Sequence, residues 1–545
     1  MEKPSSFYVP ITLLAVVAVL IGSFWFWLGA PVPMPPSPLA AGEKLFCVSY
    51  APFRGLQNPL SDATYVRASQ IDDDLARLAQ VTDCVRTYST EHGLDQVPAI
   101  AGKHGLKVLQ GLWLSSNREK SRHQVESTIA LANQHRDVIA GVIVGNEVLL
   151  RGEMSPSDLT ATIREVKARV PVPVTYADVW EFWLRNADLA NVVDFVTIHI
   201  LPYWEDHPIA AEQGASHVDS IRKRMVAAFP NKEILIGETG WPSAGRMREG
   251  AVPSRSAQSR LIHEVLNTAK RGNYKVNVIE AFDQPWKRAL EGTVGGHWGL
   301  YDDVTRQPKF AWGEPISDHP LWKLQAASGV AFAALVFAAG WFARRVPPAQ
   351  TNVSRWIGVA ILALIGGALI GWTAENVVLQ SLGIGGWARS LVLAALAVLT
   401  PVLASAAWMR KASTPSFARL LRGEDPPVSD PLALGLGLVL LALCAISLEV
   451  ALGLVFDPRY KDFPFAPLTA ATLPFFLLVL GRRSSLGGYR LAETVIAATL
   501  ACAIIYFTFN EGLANWQSLW LAGALSLLVI ALLPLSGRSS AGARG

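Results

Sequence analysis

The 545-residue sequence is poor in cysteine and in charge. It has only four cysteines, which excludes a disulfide-rich scaffold at this length. Neither a CxxC nor an HExxH spacing occurs, so the sequence indicates no metal site. Charged residues make up 17% of the chain and the formal net charge is +4. Because the cations gather beside apolar runs and form no basic face, nucleic acid is not expected as a partner.

A glycine-rich phosphate turn is also missing. The first predicted strand runs into Cys47-Val-Ser-Tyr-Ala-Pro-Phe-Arg-Gly55, which lacks the GxGxxG spacing. This argues against an open, doubly wound sheet that binds a nucleotide. No sugar-nucleotide motif appears elsewhere, and we expect no cofactor.

Apolar residues are abundant, at 51% of the chain. Tyr8–Leu28 is an apolar run of about the 20 residues needed to cross a bilayer. The run is longer than the apolar region of a cleaved signal peptide, which predicts an uncleaved transmembrane anchor over residues 1–30. The proline-rich residues 31–44 then predict a stiff, extended linker.

A second apolar region begins after Pro320. Seven apolar runs within residues 322–536 predict a C-terminal transmembrane domain of about seven helices, with Pro467–Leu480 as the shortest run. Cations gather in alternate loops and in a tail over residues 537–545. These cations are Arg344, Arg345, Arg355, Arg410, Lys411, Arg419, Arg422, Arg482, Arg483, Arg490, Arg538 and Arg544. By the positive-inside rule, these loops and both termini are expected in the cytoplasm.

Residues 45–318 alternate short β-branched runs with amphipathic helical patterns. The eight strand candidates are Phe46–Tyr50, Cys84–Tyr88, Lys107–Leu112, Val138–Gly145, Val172–Ala177, Phe195–Ile200, Glu233–Gly237 and Lys275–Phe282. Eight strands joined mostly by helices predict an α/β fold, a (β/α)₈ TIM barrel, with the open doubly wound sheet as the alternative. Cys47 and Cys84 lie on the first two strands. A disulfide between them could form in an oxidising compartment, but we expect two buried thiols.

Two acidic residues stand where apolar strands end. Val138–Glu147 is typical of a buried strand that ends in a carboxylate, and Ile234–Ser243 carries Glu238 onto a Gly/Trp/Pro corner. An isolated glutamate is more often a capping or salt-bridged surface residue. Two of them at strand ends, where a barrel builds its active site, supply the two acids that cleavage of a glycosidic bond requires. We expect their carboxyl groups about 5–5.5 Å apart.

Four segments of the predicted barrel resemble glycoside hydrolase family 17, the β-1,3-glucanase and glucanosyltransferase family of retaining (β/α)₈ enzymes. They are Val144-Gly-Asn-Glu-Val148, Gly237-Glu-Thr-Gly-Trp-Pro-Ser243, Val85-Arg-Thr-Tyr88 and Phe282-Asp-Gln-Pro-Trp-Lys287. The resemblance covers about half of the chain. It implies that Glu147 is the acid/base, that Glu238 is the nucleophile and that the catalytic domain acts on β-glucan.

Two positions depart from the family pattern. Plant members carry an acidic residue near Gln284, which supplies no carboxylate here. The sixth-strand motif, usually Asn-x-Tyr-Pro, reads His199-Ile-Leu-Pro202, so the tyrosine expected beside the nucleophile has to come from elsewhere, with Tyr203 as one candidate. The stretches Glu280–Lys287 and Glu291–Trp298 resemble bacterial, membrane-bound members linked to periplasmic cyclic or branched β-glucans.

This second resemblance implies a location and a set of partners. We expect a multi-pass protein of the bacterial inner membrane with the barrel on the periplasmic side. The expected partners are a β-glucan polysaccharide or oligosaccharide, the lipid bilayer and a glucan synthase in the same membrane.

Other residues near predicted strand ends are candidates for binding sugar. Arg86 and Tyr88 could hold the nucleophile or sugar hydroxyls, although an ordinary ion pair within the barrel explains them equally well. His199 is as consistent with a satisfied core histidine as with a ligand contact. Aromatic side chains are numerous enough for about half of Trp180, Trp183, Trp204, Trp286 and Trp298 to stack on sugar rings. The expected substrate-binding residues are Asn146, Tyr50, Arg86, Tyr88, Tyr203, Trp241, Asp283, Trp286, Lys287 and Trp298.

Hydrolysis and transglycosylation would share every catalytic residue, and the sequence favours transfer, forming β-1,6 or β-1,3 linkages, only slightly. Two other classes of function stay open. One is a carbohydrate-binding membrane scaffold or transporter subunit for glucan assembly or export. The other is a membrane-embedded glycosyltransferase with a lipid-linked donor, for which Glu375 and Glu511 are the only candidate acids.

Overall fold

The computed structural model describes residues 8–345, 352–422, 428–480 and 490–533. The chain divides into two compact units, Val32–Ile316 and Met1–Pro31 with Ser317–Gly545. The expected cytoplasmic tail (537–545) lies outside the described residues, as do Arg482, Arg483, Arg538 and Arg544.

The first unit is built on eight parallel strands that close into a barrel in chain order. The strands are β1 (Cys47–Ser49), β2 (Cys84–Arg86), β3 (Lys107–Leu112), β4 (Ile139–Asn146), β5 (Val174–Val179), β6 (Val196–His199), β7 (Ile234–Thr239) and β8 (Val276–Val278). Strand β8 pairs with β1 and completes the closure. The prediction of a (β/α)₈ barrel is therefore confirmed, and the open doubly wound sheet is excluded.

The strands are apolar because they are covered on both faces. All six residues of β7 are buried, and in β4 only Ala140 is exposed. The pairing register shifts near the C-terminal ends of both strands. Such irregularities turn a side chain away from the regular pleat and are frequent beside active sites.

Amphipathic helices surround the barrel, and several start at a side chain that caps the helix. Asn117, Ser155 and Ser254 each accept a hydrogen bond from a backbone N–H of the first turn that follows, which satisfies a donor that the helix itself leaves unpaired. The helices of the chain up to the end of this unit are α1 (Tyr8–Leu28), α2 (Ala68–Leu78), α3 (Val97–Lys103), α4 (Arg118–Gln134), α5 (Pro156–Lys167), α6 (Trp180–Arg185), α7 (Ala211–Ala228), α8 (Arg255–Gly272) and α9 (Arg288–Glu291).

Cys47 and Cys84 form a disulfide, so the expectation of two buried thiols is wrong. Strands β1 and β2 pair with Val48 opposite Val85, which brings the preceding cysteines face to face with a Cα–Cα distance of 4.3 Å. The sequence predicted neighbouring strands but not this register.

The proline-rich residues 31–44 do not stand free as an extended linker would. Val32 and Ile316 exchange backbone hydrogen bonds of 2.7 and 3.0 Å, and Leu39 packs against the barrel core. Residues 32–44 therefore belong to the barrel unit.

The second unit consists of helices. They are α1 together with α10 (Trp322–Ala343), α11 (Val353–Gln380), α12 (Gly383–Arg410), α13 (Phe417–Arg422), α14 (Pro431–Phe456), α15 (Phe465–Leu480), α16 (Leu491–Glu511) and α17 (Trp516–Leu532). Six helices of the described chain are long and apolar enough to cross a membrane, while α15 and α17 are shorter. A C-terminal region of several apolar helices is thus confirmed.

Helix α1 packs within this unit. Val17, Ile21 and Trp25 are buried, and a Cβ on Gly329 of α10 would lie 2.9 Å from the Ile21 side chain. The predicted anchor is therefore an integral helix of the bundle, a packing that its apolar length alone could not reveal.

Candidate active site

Glu238 and Glu147 both lie at the C-terminal ends of their strands. Glu238 is the fifth residue of β7, and Glu147 directly follows β4. Gly145 and Glu147 have φ of 86° and 52°, and a Cβ at residue 145 would lie 2.6 Å from the Val148 side chain. Only glycine fits there. Left-handed geometry is uncommon for glutamate, and such local strain gathers at functional sites.

The two carboxyl groups meet across the barrel mouth. One oxygen of Glu147, one oxygen of Glu238 and one ring nitrogen of His199 all lie within 4.8 Å of one another. A retaining glycosidase holds its two carboxyl groups about 5–5.5 Å apart, whereas an inverting one needs roughly 6.5–9.5 Å. The separation of the two acids is therefore closer to the first of these two spacings than to the second.

Arg86, at the end of β2, holds the nucleophile candidate in place. Its Nη1 lies 3.2 Å from Glu238 Oε1 and donates to Gly237 O at 2.7 Å. Its Nη2 donates to Asn146 Oδ1 at 2.6 Å. The guanidinium is buried, so its charge is balanced by the carboxylate it contacts.

Tyr88 provides the hydroxyl beside Glu238. Its OH donates to Glu238 Oε1 at 2.8 Å or to Ser49 Oγ at 2.7 Å. Tyr203, the candidate from the sequence, is instead fully buried and donates to the Arg246 carbonyl. The tyrosine beside Glu238 therefore comes from the end of the second strand and not from the sixth-strand motif.

His199 connects the two acids. Its Nδ1 lies 2.7 Å from Glu147 Oε1, and its Nε2 lies 3.2 Å from Arg86 Nη1. A guanidinium can only donate, so Nε2 accepts and the proton resides on Nδ1, which donates to Glu147. His199 is therefore hydrogen-bonded to Glu147, and its Nε2 lies 3.6 Å from Glu238 Oε1. The open choice between core histidine and ligand contact resolves to a buried residue that bridges the two candidate acids.

The surroundings of Glu147 set its acidity. Burial raises the pKa of this carboxyl, but the hydrogen bond from His199 and the nearby charges of Arg86 and Arg151 outweigh burial and bring the pKa below its ordinary value. Close by, burial raises the pKa of Asp178 to about 6, with the charge of Glu147 contributing.

Glu147, His199 and Glu238 are close enough to hold one cation. Arg86 already occupies that role, because its guanidinium contacts both His199 and Glu238. A metal ion there would meet a buried positive charge at close range, and the donor set does not favour one.

The segment after β8 contributes an acid–lysine group that the sequence reasoning missed in part. Lys287 lies 2.9 and 3.0 Å from the two oxygens of Glu280, and burial raises the pKa of Glu280 to about 7. Burial also raises the pKa of Glu291, against the charge of Lys287, and the charges of Glu147 and Glu238 add to the rise. Glu280 and Glu291 both lie in the stretches Glu280–Lys287 and Glu291–Trp298 named from the sequence, but of this group only Lys287 is among the expected substrate-binding residues.

Several expected sugar contacts are structural instead. Tyr50 donates from the core to Asp74, Trp241 donates to the Val252 carbonyl, and Trp298 is buried beside Trp204. Their rings pack in the barrel core, and Trp183 does the same.

Asp283 is not a sugar contact either. It is buried, accepts from Gly299 N and pairs with Lys309 at 2.6 Å. Nearby charges, foremost Lys309, outweigh burial and lower its pKa. Its role is to fix the loop after β8.

Other aromatic residues do stay accessible. Trp286 is half-buried, with its Nε1 donating to Gln284 Oε1. Trp113 was missed: it follows β3 directly, is 37% exposed and lies under the Arg151 guanidinium at 4.1 Å. Its position one residue after a strand was the signal in the sequence.

Comparisons with known proteins cover the barrel. Residues 47–299 match the BtgE/BtgC glycoside hydrolase domain. A probable glucan endo-1,3-beta-glucosidase btgC of Aspergillus clavatus is 25% identical over 48% of this chain and 41% of its own length. A glucan 1,3-beta-glucosidase of Saccharomyces cerevisiae is 25% identical over 45% of this chain and 85% of its own length.

Among solved structures, a glycoside hydrolase family 17 beta-1,3-glucanosyltransferase of Rhizomucor miehei is 26% identical. It covers 49% of this chain and 95% of its own, with a TM-score of 0.43. The chain spans less than half of the length of the Aspergillus relative.

Proposed function

We propose, from the match of residues 47–299 to the BtgE/BtgC glycoside hydrolase domain, that the protein is a retaining enzyme that cleaves β-1,3-glucan and transfers the cleaved part to water or to sugar. The observation that carries the proposal is the convergence of Glu147 and Glu238 within 4.8 Å.

In the first step, Glu238 attacks the anomeric carbon and Glu147 protonates the departing glycosidic oxygen. Tyr88, Arg86 and His199 all approach Oε1 of Glu238, so we assign the attack to the other oxygen, Oε2. The bond from the anomeric carbon to the leaving oxygen breaks as the bond to Glu238 forms. Arg86 balances the charge of the carboxylate before the attack.

In the second step, Glu147 is a carboxylate and removes a proton from the acceptor, whose oxygen attacks the anomeric carbon as the bond to Glu238 breaks and frees that carboxylate. The hydrogen bond with His199 supports the ionised form of Glu147. Water as acceptor gives hydrolysis, and a sugar hydroxyl gives transglycosylation with a new β linkage. The amide oxygen of Asn146 is occupied by Arg86, which directs its Nδ2 to the sugar 2-hydroxyl.

Accessible aromatic side chains support the transfer branch. Trp113 and Trp286 offer flat apolar faces near the strand ends, and such faces hold an acceptor sugar where water would otherwise react. We therefore favour transfer, forming β-1,6 or β-1,3 linkages.

The apolar helices and the alternating cations support a membrane location. We propose that the protein spans the bacterial inner membrane, with the barrel periplasmic and both termini cytoplasmic, and that it remodels periplasmic β-glucan beside a glucan synthase. Arg344, Arg355 and Arg410 mark the helix ends assigned to the cytoplasm.

The test uses the full-length protein in detergent with laminarihexaose. Wild type is expected to give shorter products and, through transfer, products longer than the substrate. Glu238→Gln and Glu147→Gln should each reduce turnover by about 10⁴-fold, since each removes a group of the reacting unit. Mass spectrometry of the products measures both the turnover and the lengths of the products.

Glu119→Gln is the matched control, because this glutamate is exposed on α4, and it should retain wild-type turnover. Full turnover in Glu238→Gln would contradict the proposal. Binding of laminarihexaose without turnover by wild type would favour the carbohydrate-binding scaffold instead.

A further inference from the structure

The helical unit contains a polar and aromatic group that the proposed chemistry does not use. We define the aromatic–acid cluster as Trp25, His319, Gln325, Trp372 and Glu375. The three rings contact one another edge to face, with centroid distances of 5.7, 6.2 and 5.4 Å. Gln325 Nε2 donates to Glu375 Oε2 at 3.1 Å, and His319 Nδ1 lies 3.6 Å from the same oxygen.

A glycine makes this approach possible. A Cβ on Gly371 would lie 2.7 Å from Gln325 Cβ and 3.0 Å from Trp25 Cζ2. Any other residue would separate α1, α10 and α11 at this level. The aromatic surface continues from Trp372 to rings of α15 and α17, with centroid distances of 5.1 to 6.2 Å to Phe465, Trp516 and Trp520.

Three buried polar atoms at the cluster have no hydrogen-bond partner among the described residues. They are Trp25 Nε1, His319 Nδ1 and Gln325 Oε1. Trp25 is 0% exposed and Gln325 is 9% exposed, and the His319 side chain is 14% exposed. Leaving such atoms unpaired is costly, so a group outside the described chain is expected to satisfy them.

The cluster is open on one side. The Glu375 side chain is 32% exposed and Trp516 is 36% exposed. A ligand can therefore reach the carboxylate and the adjoining aromatic faces from outside the bundle.

The unpaired atoms define the chemistry of that ligand. Trp25 Nε1 and a protonated His319 Nδ1 offer donors, whereas Gln325 and Glu375 offer acceptors. A quaternary ammonium would leave the donors unpaired, and a phosphate would meet the Glu375 charge. Hydroxyl groups both donate and accept, and the apolar C–H face of a pyranose stacks on indole rings.

We propose that the aromatic–acid cluster is a second carbohydrate site, which binds a glucosyl end of a β-glucan oligosaccharide. Glu375 is near the end of α11 opposite Arg355, so the proposed topology places the site outside the cytoplasm, where glucan is found. The choice of β-glucan rests on the proposed function; the geometry requires only a neutral polyhydroxyl ligand.

The experiment titrates laminarihexaose into the full-length Glu238→Gln protein in nanodiscs of phospholipids that carry no sugar, followed by calorimetry. Two sites are expected. Trp25→Phe keeps an aromatic ring but removes the unpaired donor, and should weaken the second site about five-fold, as expected for one hydrogen bond. Glu375→Gln should weaken it about ten-fold or more, as expected for a charged partner.

Glu449→Gln, on an exposed position of α14, is the matched control and should bind as the parent does. In an otherwise wild-type chain, Glu375→Gln should keep the rate of laminarihexaose cleavage. If two binding sites were measured but the wild-type protein did not cleave laminarihexaose, the result would support the second carbohydrate site and contradict the proposed function.

A single site in the parent would overturn the proposal. The proposal would also be overturned by two sites whose affinities are unchanged in both Trp25→Phe and Glu375→Gln. If those variants had a lower melting temperature but unchanged binding, the cluster would be purely structural. Competition by octyl glucoside without binding of laminarihexaose would assign the site to a glycolipid headgroup and overturn the oligosaccharide assignment.

Discussion

Single residues at the barrel mouth control which proton is available for the chemistry. His199 donates to Glu147 and accepts from Arg86, while Arg86 and Tyr88 contact Glu238. The family pattern usually has asparagine at the position of His199. This chain therefore links its two carboxylates through an imidazole ring, which couples the ionisation of one to the position of the other.

His199→Asn tests this coupling. The His199 hydrogen bond is one cause of the lowered pKa of Glu147, so its removal should raise that pKa. Glu147 must be protonated for the first step, so activity falls as pH rises through its pKa. The alkaline limb of kcat/KM against pH should therefore move to higher pH in His199→Asn, and an unmoved limb would contradict the role given to His199.

The sequence could predict residues whose role follows from a strand end. Glu147, Glu238, Arg86 and Tyr88 all lie within two residues of the C-terminal end of a strand, and the structure brings them together. The sequence could not predict which aromatic residues face the cleft, because the burial of a side chain depends on partners distant in the chain. Trp241 is buried through its hydrogen bond to the Val252 carbonyl, and no local pattern shows that contact.

At the level of elements, strand positions were predictable and strand ends were less so. Lys107–Leu112 has the predicted bounds, whereas β8 was expected as Lys275–Phe282 and spans Val276–Val278. The apolar run continues beyond β8, but Glu280 N donates to the Trp298 carbonyl and Ala281 N to the Ser49 carbonyl. The contact of Glu280 with Trp298, in the loop that follows, interrupts the ladder although Ala281 still contacts the end of β1. Sequence periodicity does not reveal such a contact.

The bridge between β1 and β2 provides a test at this scale. Cys47 and Cys84 are 37 residues apart, and closing a loop of that length stabilises the folded state by about 3–4 kcal/mol in the chain-entropy account. The double variant Cys47→Ala/Cys84→Ala should lose about that much free energy of unfolding in denaturant titrations of the full chain.

Cys444→Ala/Cys502→Ala is the control, since both of these cysteines are free thiols. It should change the free energy of unfolding far less. An equal loss in the two double variants would show that the bridge contributes nothing specific.

At the scale of the whole molecule, the chain joins a barrel unit to a unit of apolar helices. The sequence predicted both, because strand runs and apolar spans differ strongly in composition and length. It did not predict that α1 belongs to the bundle, since the contacts of Ile21 with Gly329 and Gly367 join segments some 300 residues apart in the chain.

Membrane topology gives a prediction at this scale. In a Cys444→Ala/Cys502→Ala background, Leu382→Cys lies between α11 and α12 and Ser413→Cys follows α12. An impermeant maleimide should label Leu382→Cys on intact spheroplasts and Ser413→Cys only after permeabilisation, because the arginine-rich ends are expected inside. The reverse pattern would contradict the orientation proposed for the bundle.

The account depends most on direct attack by Glu238 with Glu147 as its partner. Proton NMR during cleavage of laminarihexaose by the full-length protein identifies the anomer released first. The carboxyl geometry predicts the β-anomer, as two successive displacements require. Initial release of the α-anomer would show single displacement by water and would contradict the assignment of Glu238 as nucleophile.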